Sequence, residues 1–262
     1  MAANDELRFD THEGIAYVTF NRPAARNALT FAMYERLNEI CREVDADRSI
    51  KAMVLTGAGD MAFTSGTDIS EFRSFATPQD ALDYESRVDR VIDAVEQCRV
   101  PTIAAIAGAC TGAGAAIAAA CDLRFAGPNA RFSFPIARML GNCLSRASYA
   151  RLAALIGPAR VKDMIFRARV VEAVEALSIG LITELTIDYG GLLPRAESIA
   201  HLVASHAPLT LQATKEALRR IVGPMQGGSE IDDLILMCYM SRDFREGLDA
   251  FLNKRTPEWH GE

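Results

Sequence analysis

Apolar and polar positions alternate in two rhythms along this chain, and the change of rhythm marks its elements. Leu7-Arg8-Phe9 reads as a short strand, His12-Glu13-Gly14 as a turn, and Ile15 to Phe20 as the returning strand of a hairpin. Asn21-Arg22-Pro23 breaks it, and Arg26-Asn27-Ala28-Leu29 forms a loop ahead of Thr30, a helix-capping residue. Met33, Leu37, Ile40, Cys41 and Val44 then recur at helical spacing. The run Ala52 to Thr56 is uniformly apolar up to its end, the signature of a strand covered on both faces. It stops at Gly57-Ala58-Gly59-Asp60, and residues 62–69 read as a loop. Asp80 to Cys98 is helical, with Leu82, Val88, Val91, Ile92 and Val95 on the apolar face.

The stretch Pro101 to Leu123 has no charge before Asp122. β-Branched residues (Thr102, Ile103, Ile106) lead to a break at Gly108. The small-residue turn Cys110-Thr111-Gly112-Ala113-Gly114 follows, and then an alanine-rich helix. Such a turn leaves the first N–H groups of the helix without partners, and the helix dipole adds to their attraction for negative charge. Small residues there fit either close packing in a core or direct approach of a ligand to the backbone. Gly112-x-Gly114 is not a dinucleotide fingerprint, because Ile117 holds the third glycine position, and Gly-Lys-Ser/Thr of a phosphate loop is absent. A membrane span is rejected because the run is mostly alanine and glycine and is broken by Thr111 and glycines.

Further on, Arg124-Phe125-Ala126 reads as a strand, Gly127 to Ala130 as a turn, and Phe132 to Ile136 as extended. Ala147 to Ile156 is helical up to Gly157-Pro158. Another helix reaches about Arg167, Val170-Val171 is extended, and Glu172 to Ile179 is a short helix closed by Gly180. Helical patterns at Leu193–His206, Leu209–Ile221 and Ile231–Leu252 finish the chain. Strand–helix alternation over the first two-thirds, then helices alone, predicts an α/β core at residues 1–200. Residues 201–262 form a helical extension that packs on the core or on a neighbouring subunit.

Composition narrows the chemistry. The chain has 262 residues, half of them hydrophobic, and a net charge of −6, which argues against a nucleic-acid partner. The six cysteines are scattered without metal-type pairs, and the four histidines form no ligand cluster, so no metal is expected. MAANDELRFD contains no apolar segment of a secretory signal, and a cytoplasmic location is the expectation.

Four motifs together resemble the crotonase (enoyl-CoA hydratase/isomerase) superfamily: NRPAARNAL (21–29), AFTSGTDI (62–69), the stretch 101–126, and REGLDAFLNKRTPEW (245–259). The resemblance implies an α/β spiral of ββα repeats with a helical C-terminal trimerisation region, assembled as a homotrimer or a dimer of trimers. It implies an acyl-CoA substrate in which coenzyme A is part of the thioester, with no permanently bound cofactor, no nucleic acid and no membrane. By match, the backbone N–H groups of Thr67 and Ala113 would form an oxyanion hole for the thioester oxygen. Arg26, Ala28 and Leu29 match the loop under adenine and pantetheine. Ala62, Gly66, Asp68 and Ile69 match the adenine-side backbone, and Phe251 and Lys254 match C-terminal residues that reach the nucleotide.

The chain departs from the hydratases of the family where they carry two glutamates as acid and base; it has Ala116 and Ile136. The aspartate that some members use further on is Leu144 here. The polar groups left nearby are Arg138, Asn142, Cys143 and Ser145. Arg138 suits a substrate carboxylate, as in decarboxylation of a malonyl-type thioester, or else is a surface or inter-subunit arginine. Cys143 lacks a histidine partner and reads as an inert thiol, and Asp122 reads as structural. The resemblance and these departures together predict an acyl-CoA enzyme of non-standard chemistry: a lyase, isomerase, decarboxylase or hydrolase, or a hydratase that uses other groups. The alternative is a non-catalytic acyl-CoA binder or scaffold paralogue.

Overall fold

The computed structural model describes residues 3–226 and 231–261. Met1, Ala2, residues 227–230 and Glu262, which the two expected regions include, lie outside the described residues. After a helical turn α1 (Ala3–Glu6) comes the expected hairpin of β1 (Leu7–His12) and β2 (Ile15–Phe20). It turns through Glu13 and Gly14, both at positive φ (49° and 77°), which matches the twist of the paired strands.

The chain then winds as a spiral in which successive turns each lay one strand in either of two sheets. Helix α2 (Phe31–Ala46) is followed by β3 (Ala52–Gly57), β4 (Ala62–Thr64) and α3 (Pro78–Gln97). The next turn is β5 (Thr102–Ile106), β6 (Ala109–Thr111) and α4 (Ala113–Ala120). Then come β7 (Leu123–Ala126), β8 (Arg131–Ser133), α5 (Ile136–Met139), α6 (Arg146–Ile156) and α7 (Pro158–Phe166). The chain ends with β9 (Val171–Glu172), α8 (Ala173–Ser178), β10 (Glu184–Leu185) and four helices: α9 (Leu192–Ala204), α10 (Pro208–Gln226), α11 (Asp232–Tyr239) and α12 (Arg242–Leu252). One sheet runs β1-β2-β3-β5-β7-β10 and the other β4-β6-β8-β9, with parallel pairing through their centres.

The uniformly apolar strands are covered twice. Met53 and Leu55 face the main core, whereas Ala52, Val54, Ile103, Ala105 and Phe125 face Leu192, Ala196 and Ala200 of α9. Helix α2 starts where expected, with Thr30 Oγ1 accepting from the Met33 amide at 3.3 Å. Helix α3 starts with a reciprocal Thr77–Asp80 capping box.

Four local readings change. Residues 62–69 are not wholly a loop, because Ala62–Thr64 pairs with β6. The turn expected at residues 110–114 begins as strand β6, aligned on β8. Neither three-residue strand is long enough to show a periodicity. The extended segment ends at Ser133, and Ile136 already opens α5. The pattern Ile231–Leu252 is two helices, because Ser241 caps α12 through the Phe244 amide at 2.9 Å. Helices α11 and α12 fold back on the core, α11 against α3 and α12 against α5 and the 3₁₀ turn Ile69–Ser74.

Candidate functional site

A cavity of about 940 Å³ opens between the β4 and β6 ends, α3, α4, α5 and the C-terminal helix. Its walls gather Thr67, Ala113, Arg138 and Asn142, together with Arg26, Ala28, Gly66, Asp68, Ile69, Phe251 and Lys254. Two motif residues stand behind the wall: Leu29 and Ala62 are each 1% exposed and do not line the cavity. Their backbones hold it together. The Leu29 amide donates to the Gly66 carbonyl and its carbonyl accepts from the Asp68 amide, both at 2.8 Å. Asn27 Nδ2 donates to the Ala62 carbonyl at 2.7 Å.

The first loop is clamped to the second by one arginine. Arg22 Nη1 donates to the Ala28 carbonyl at 2.7 Å and to Asp68 Oδ2 at 3.0 Å. Burial opposes ionisation of Asp68, but hydrogen bonds from Ser70 and Arg22 outweigh it and hold the carboxyl below its usual range.

The small residues of the central turn have two separate reasons. Gly66 has φ +95°, and a Cβ there would sit 2.9 Å from the Thr111 carbonyl oxygen and 3.6 Å from the Ala113 nitrogen. The Gly66–Thr67 segment and the start of α4 therefore lie backbone to backbone. Gly114 is required by packing: a Cβ would sit 2.8 Å from the Thr64 carbonyl oxygen. Close packing thus accounts for Gly114 in the turn expected at residues 110–114. Ala113 opens α4, where a helix leaves its N–H groups without intrahelical acceptors.

Thr67 is fixed from behind by two phenols. Its Oγ1 lies 2.7 Å from Tyr34 Oη and 2.7 Å from Tyr84 Oη, all three buried. Burial raises both tyrosines, so they remain neutral and act as hydrogen-bonding pins. Sequence reading did not single out either one.

Ala116 and Ile136 face the cavity, so the α4 and α5 walls present methyl and butyl groups where the resemblance implies carboxylates. A carboxyl does reach the cavity, from α3. Glu85 lines it and is 7% exposed. Tyr239 Oη donates to Glu85 Oε1 at 2.5 Å, and Asn142 Nδ2 donates to the same Tyr239 oxygen at 3.1 Å. The backbone amide of Ser145 also donates to this carboxyl. Burial pushes Glu85 up to about 8, against the opposing pull of the Tyr239 hydrogen bond. Asn142 Oδ1 is buried with no partner among the described residues.

The sequence did carry one signal for Glu85. Ala81, Glu85, Val88 and Ile92 follow helical spacing, which places an acid on a core-facing stripe.

The remaining polar residues divide clearly. Arg138, Arg26 and Lys254 are exposed at the cavity edge, with no ion-pair partner among the described residues. Ser145 Oγ donates to Asp89 Oδ1 at 2.5 Å and caps α6, so it serves the fold. The Cys143 thiol is pushed up by a hydrogen bond with Cys238 and by burial, which keeps it protonated. Asp122 Oδ2 accepts from the Thr102 amide at 2.7 Å and from Lys215 Nζ at 2.6 Å, a joint between β5 and α10. Among the described residues, no cluster of three or more metal-type ligands exists, and no helix is long and apolar enough to cross a membrane.

The two-sheet spiral, and a cavity where a glycine loop meets a helix start, are features of the crotonase fold. The enoyl-CoA hydratase/isomerase family model matches residues 10–262, and the chain belongs to that family. A short-chain-enoyl-CoA hydratase from Clostridium acetobutylicum is 33% identical over 251 residues, covering 93% of each chain. An enoyl-CoA hydratase/isomerase structure from Pseudoalteromonas atlantica aligns with a TM-score of 0.84 at 29% identity, over 97% of this chain and 100% of the other. A methylmalonyl-CoA decarboxylase in complex with 2-nitronate-propionyl-CoA aligns with a TM-score of 0.88 at 25% identity, over 98% of this chain and 99% of the other.

Proposed function

We propose that this chain forms and protonates the enolate of a carboxylated acyl-CoA thioester, a decarboxylase-type lyase rather than a two-glutamate hydratase. The observation that carries this reading is the pairing of an oxyanion site with carboxylate-free α4 and α5 walls. The Thr67 and Ala113 N–H groups bind the thioester oxygen as it gains charge, and Tyr34 and Tyr84 hold the Thr67 side of that pair. In the reaction the bond from Cα to the carboxyl carbon breaks. Its electron pair becomes the C=C bond of the enolate, the carbonyl π pair moves to oxygen, and CO₂ leaves.

Arg138, exposed at the cavity without an ion-pair partner among the described residues, attracts the substrate carboxylate. Arg26 and Lys254 take phosphate charge of the nucleotide end. Ala28, Gly66, Asp68, Ile69 and Phe251 line the CoA channel, and Leu29 and Ala62 hold it from behind through their backbones. Coenzyme A arrives with the substrate, and no resident cofactor is part of the reading. The structural likeness to a methylmalonyl-CoA decarboxylase supports it. A homotrimer or dimer of trimers in the cytoplasm completes the proposal. Exposed Leu209, Leu218 and Ile221 on α10 support assembly, and sedimentation tests it.

The test is to incubate the purified protein with methylmalonyl-CoA, malonyl-CoA and crotonyl-CoA and follow the thioesters by mass spectrometry. Loss of CO₂ from a carboxylated thioester is expected, with no hydration of crotonyl-CoA above background. Hydration of crotonyl-CoA would overturn the reading. The alanine and isoleucine at 116 and 136 also favour a non-catalytic acyl-CoA binder, and binding of every thioester with turnover of none would establish that instead.

A further inference from the structure

We propose that Glu85 is the proton-transfer residue of this site, moving a proton between its carboxyl and the α-carbon of the bound thioester. The inference rests on the enolate chemistry proposed above and assigns its missing acid and base to α3.

The geometry carries it. Glu85 is the carboxyl among the cavity-lining residues that is buried: Asp68, the other acid in the wall, is committed to Arg22 and Ser70. Its neighbour Tyr84 touches Thr67, so the turn of α3 that carries Glu85 is joined to the oxyanion loop. Both polar contacts of the carboxyl are donated to it, by Tyr239 Oη and by the Ser145 amide. Glu85 lines the cavity wall, so a bound ligand can reach its carboxyl.

The groups around Glu85 support the same assignment. Asp89 lies one turn along α3, Tyr34 and Tyr84 stand behind Thr67, and Tyr239 lies on α11. Tyr149 and Cys143 lie on the α6 side. Burial is the main cause that favours the acid form of Glu85, and the Asp89 charge adds to it; the nearby cation Arg151 on α6 acts on Asp89 and is paired with Asp93 and Glu96. Asn142 reaches Glu85 through Tyr239, which makes Tyr239 and Asn142 positioning residues.

The step balances. After CO₂ leaves, the enolate Cα takes the proton of Glu85, the C=C pair forms the new C–H bond, and the oxygen's charge returns to the carbonyl. Glu85, left as carboxylate, regains its proton from water. In reverse, the Glu85 carboxylate removes a Cα proton from a saturated thioester and creates the enolate under the oxyanion donors.

That reverse half supplies a test that needs no decarboxylation. Butyryl-CoA is incubated with the protein in D₂O, and loss of the Cα–H signal is followed by NMR, beside binding of butyryl-CoA by calorimetry. The wild type is expected to exchange, with a rate that rises through the Glu85 titration near pH 8 and then levels. Glu85→Gln is expected to lose exchange at least 100-fold while binding changes less than threefold, and Glu85→Asp to restore part of it. Tyr239→Phe removes a hydrogen bond that favours the carboxylate and moves the midpoint of the pH profile to higher pH. Exchange in Glu85→Gln at the wild-type rate overturns the assignment and leaves the enolate reading standing. Absence of exchange in the wild type, with binding intact, also overturns the assignment, and the enolate reading is then decided by loss of CO₂ from the carboxylated thioesters alone.

Discussion

Replacing Glu85 by glutamine is expected to change how the stability of the fold depends on pH. Glu85 titrates at about 8 in the folded chain against an ordinary 4.5, because the folded environment disfavours its charged form. A carboxyl raised in this way contributes fully below pH 4.5. Its contribution then declines as pH rises, because ionisation is easier in the unfolded chain, and the loss levels off once pH passes the folded value. Each tenfold fall in proton activity across that interval costs about 1.4 kcal/mol, so the full loss is about 5 kcal/mol. Between about pH 5 and pH 9 the wild type loses about 4 kcal/mol that the glutamine variant keeps.

The introduced glutamine still accepts from Tyr239, and its unpaired amide hydrogens cost about 1–3 kcal/mol at every pH. The readout is therefore the slope of the difference and not its offset. Asp89, also raised by burial, is present in both proteins, and its charge is one of the causes that raise Glu85. Urea unfolding midpoints with their m-values, measured at steps between about pH 5 and pH 9, give the two curves. A stability difference that is flat in pH would refute the argument that Glu85 is neutral in the fold.

Three other outcomes follow from contacts already described. Gly66→Ala forces a Cβ to 2.9 Å from the Thr111 carbonyl and strains a residue at φ +95°, so it displaces the Thr67 amide. Turnover is expected to fall about 100-fold or more, with weaker change in thioester Kd, checked by single-turnover kinetics and calorimetry. Tyr34→Phe removes one of the two phenols that hold Thr67 Oγ1, costing about 1 kcal/mol in unfolding free energy, and lowers kcat more than it raises KM. Asp122→Ala breaks the β5–α10 joint with Lys215 and lowers Tm, while butyryl-CoA exchange per folded molecule stays at the wild-type rate.

The hairpin, the long helices and the buried strands were legible because each repeats a period over enough residues to be counted. Thr30 and Gly180 marked helix ends by their chemistry alone. Strands β4, β6 and β10 were not legible: two or three residues carry no period, and these segments are strands only because a parallel neighbour is present. Ser241 was hidden by apolar residues on both sides that continue one helical phase.

In the cavity, the loops around Thr67 and Ala113 were placed by motif, and the structure brings them together. Leu29 and Ala62 lie behind the wall because their role in the fold is backbone pairing. Glu85 was hidden because an acid inside a helix reads as solvated. Only its phase, shared with Ala81 and Val88, placed it inward, and only the packing of α11 supplied Tyr239. Its partners Asn142 and Tyr239 are separated by most of a hundred positions, a distance over which local pattern carries no information.

The backbone zip between Leu29 and the Gly66–Asp68 segment makes two loops one rigid piece. In the proposed acyl-CoA reading, one edge of that piece meets the nucleotide handle of the substrate and the other carries the Thr67 amide, so force applied at the handle is delivered at the thioester. A substrate cut down to the pantetheine arm would lose grip at the far edge, and the near edge would sit less firmly. Shortening the handle should slow the chemistry as well as weaken the hold, because anchoring and polarisation share one lever.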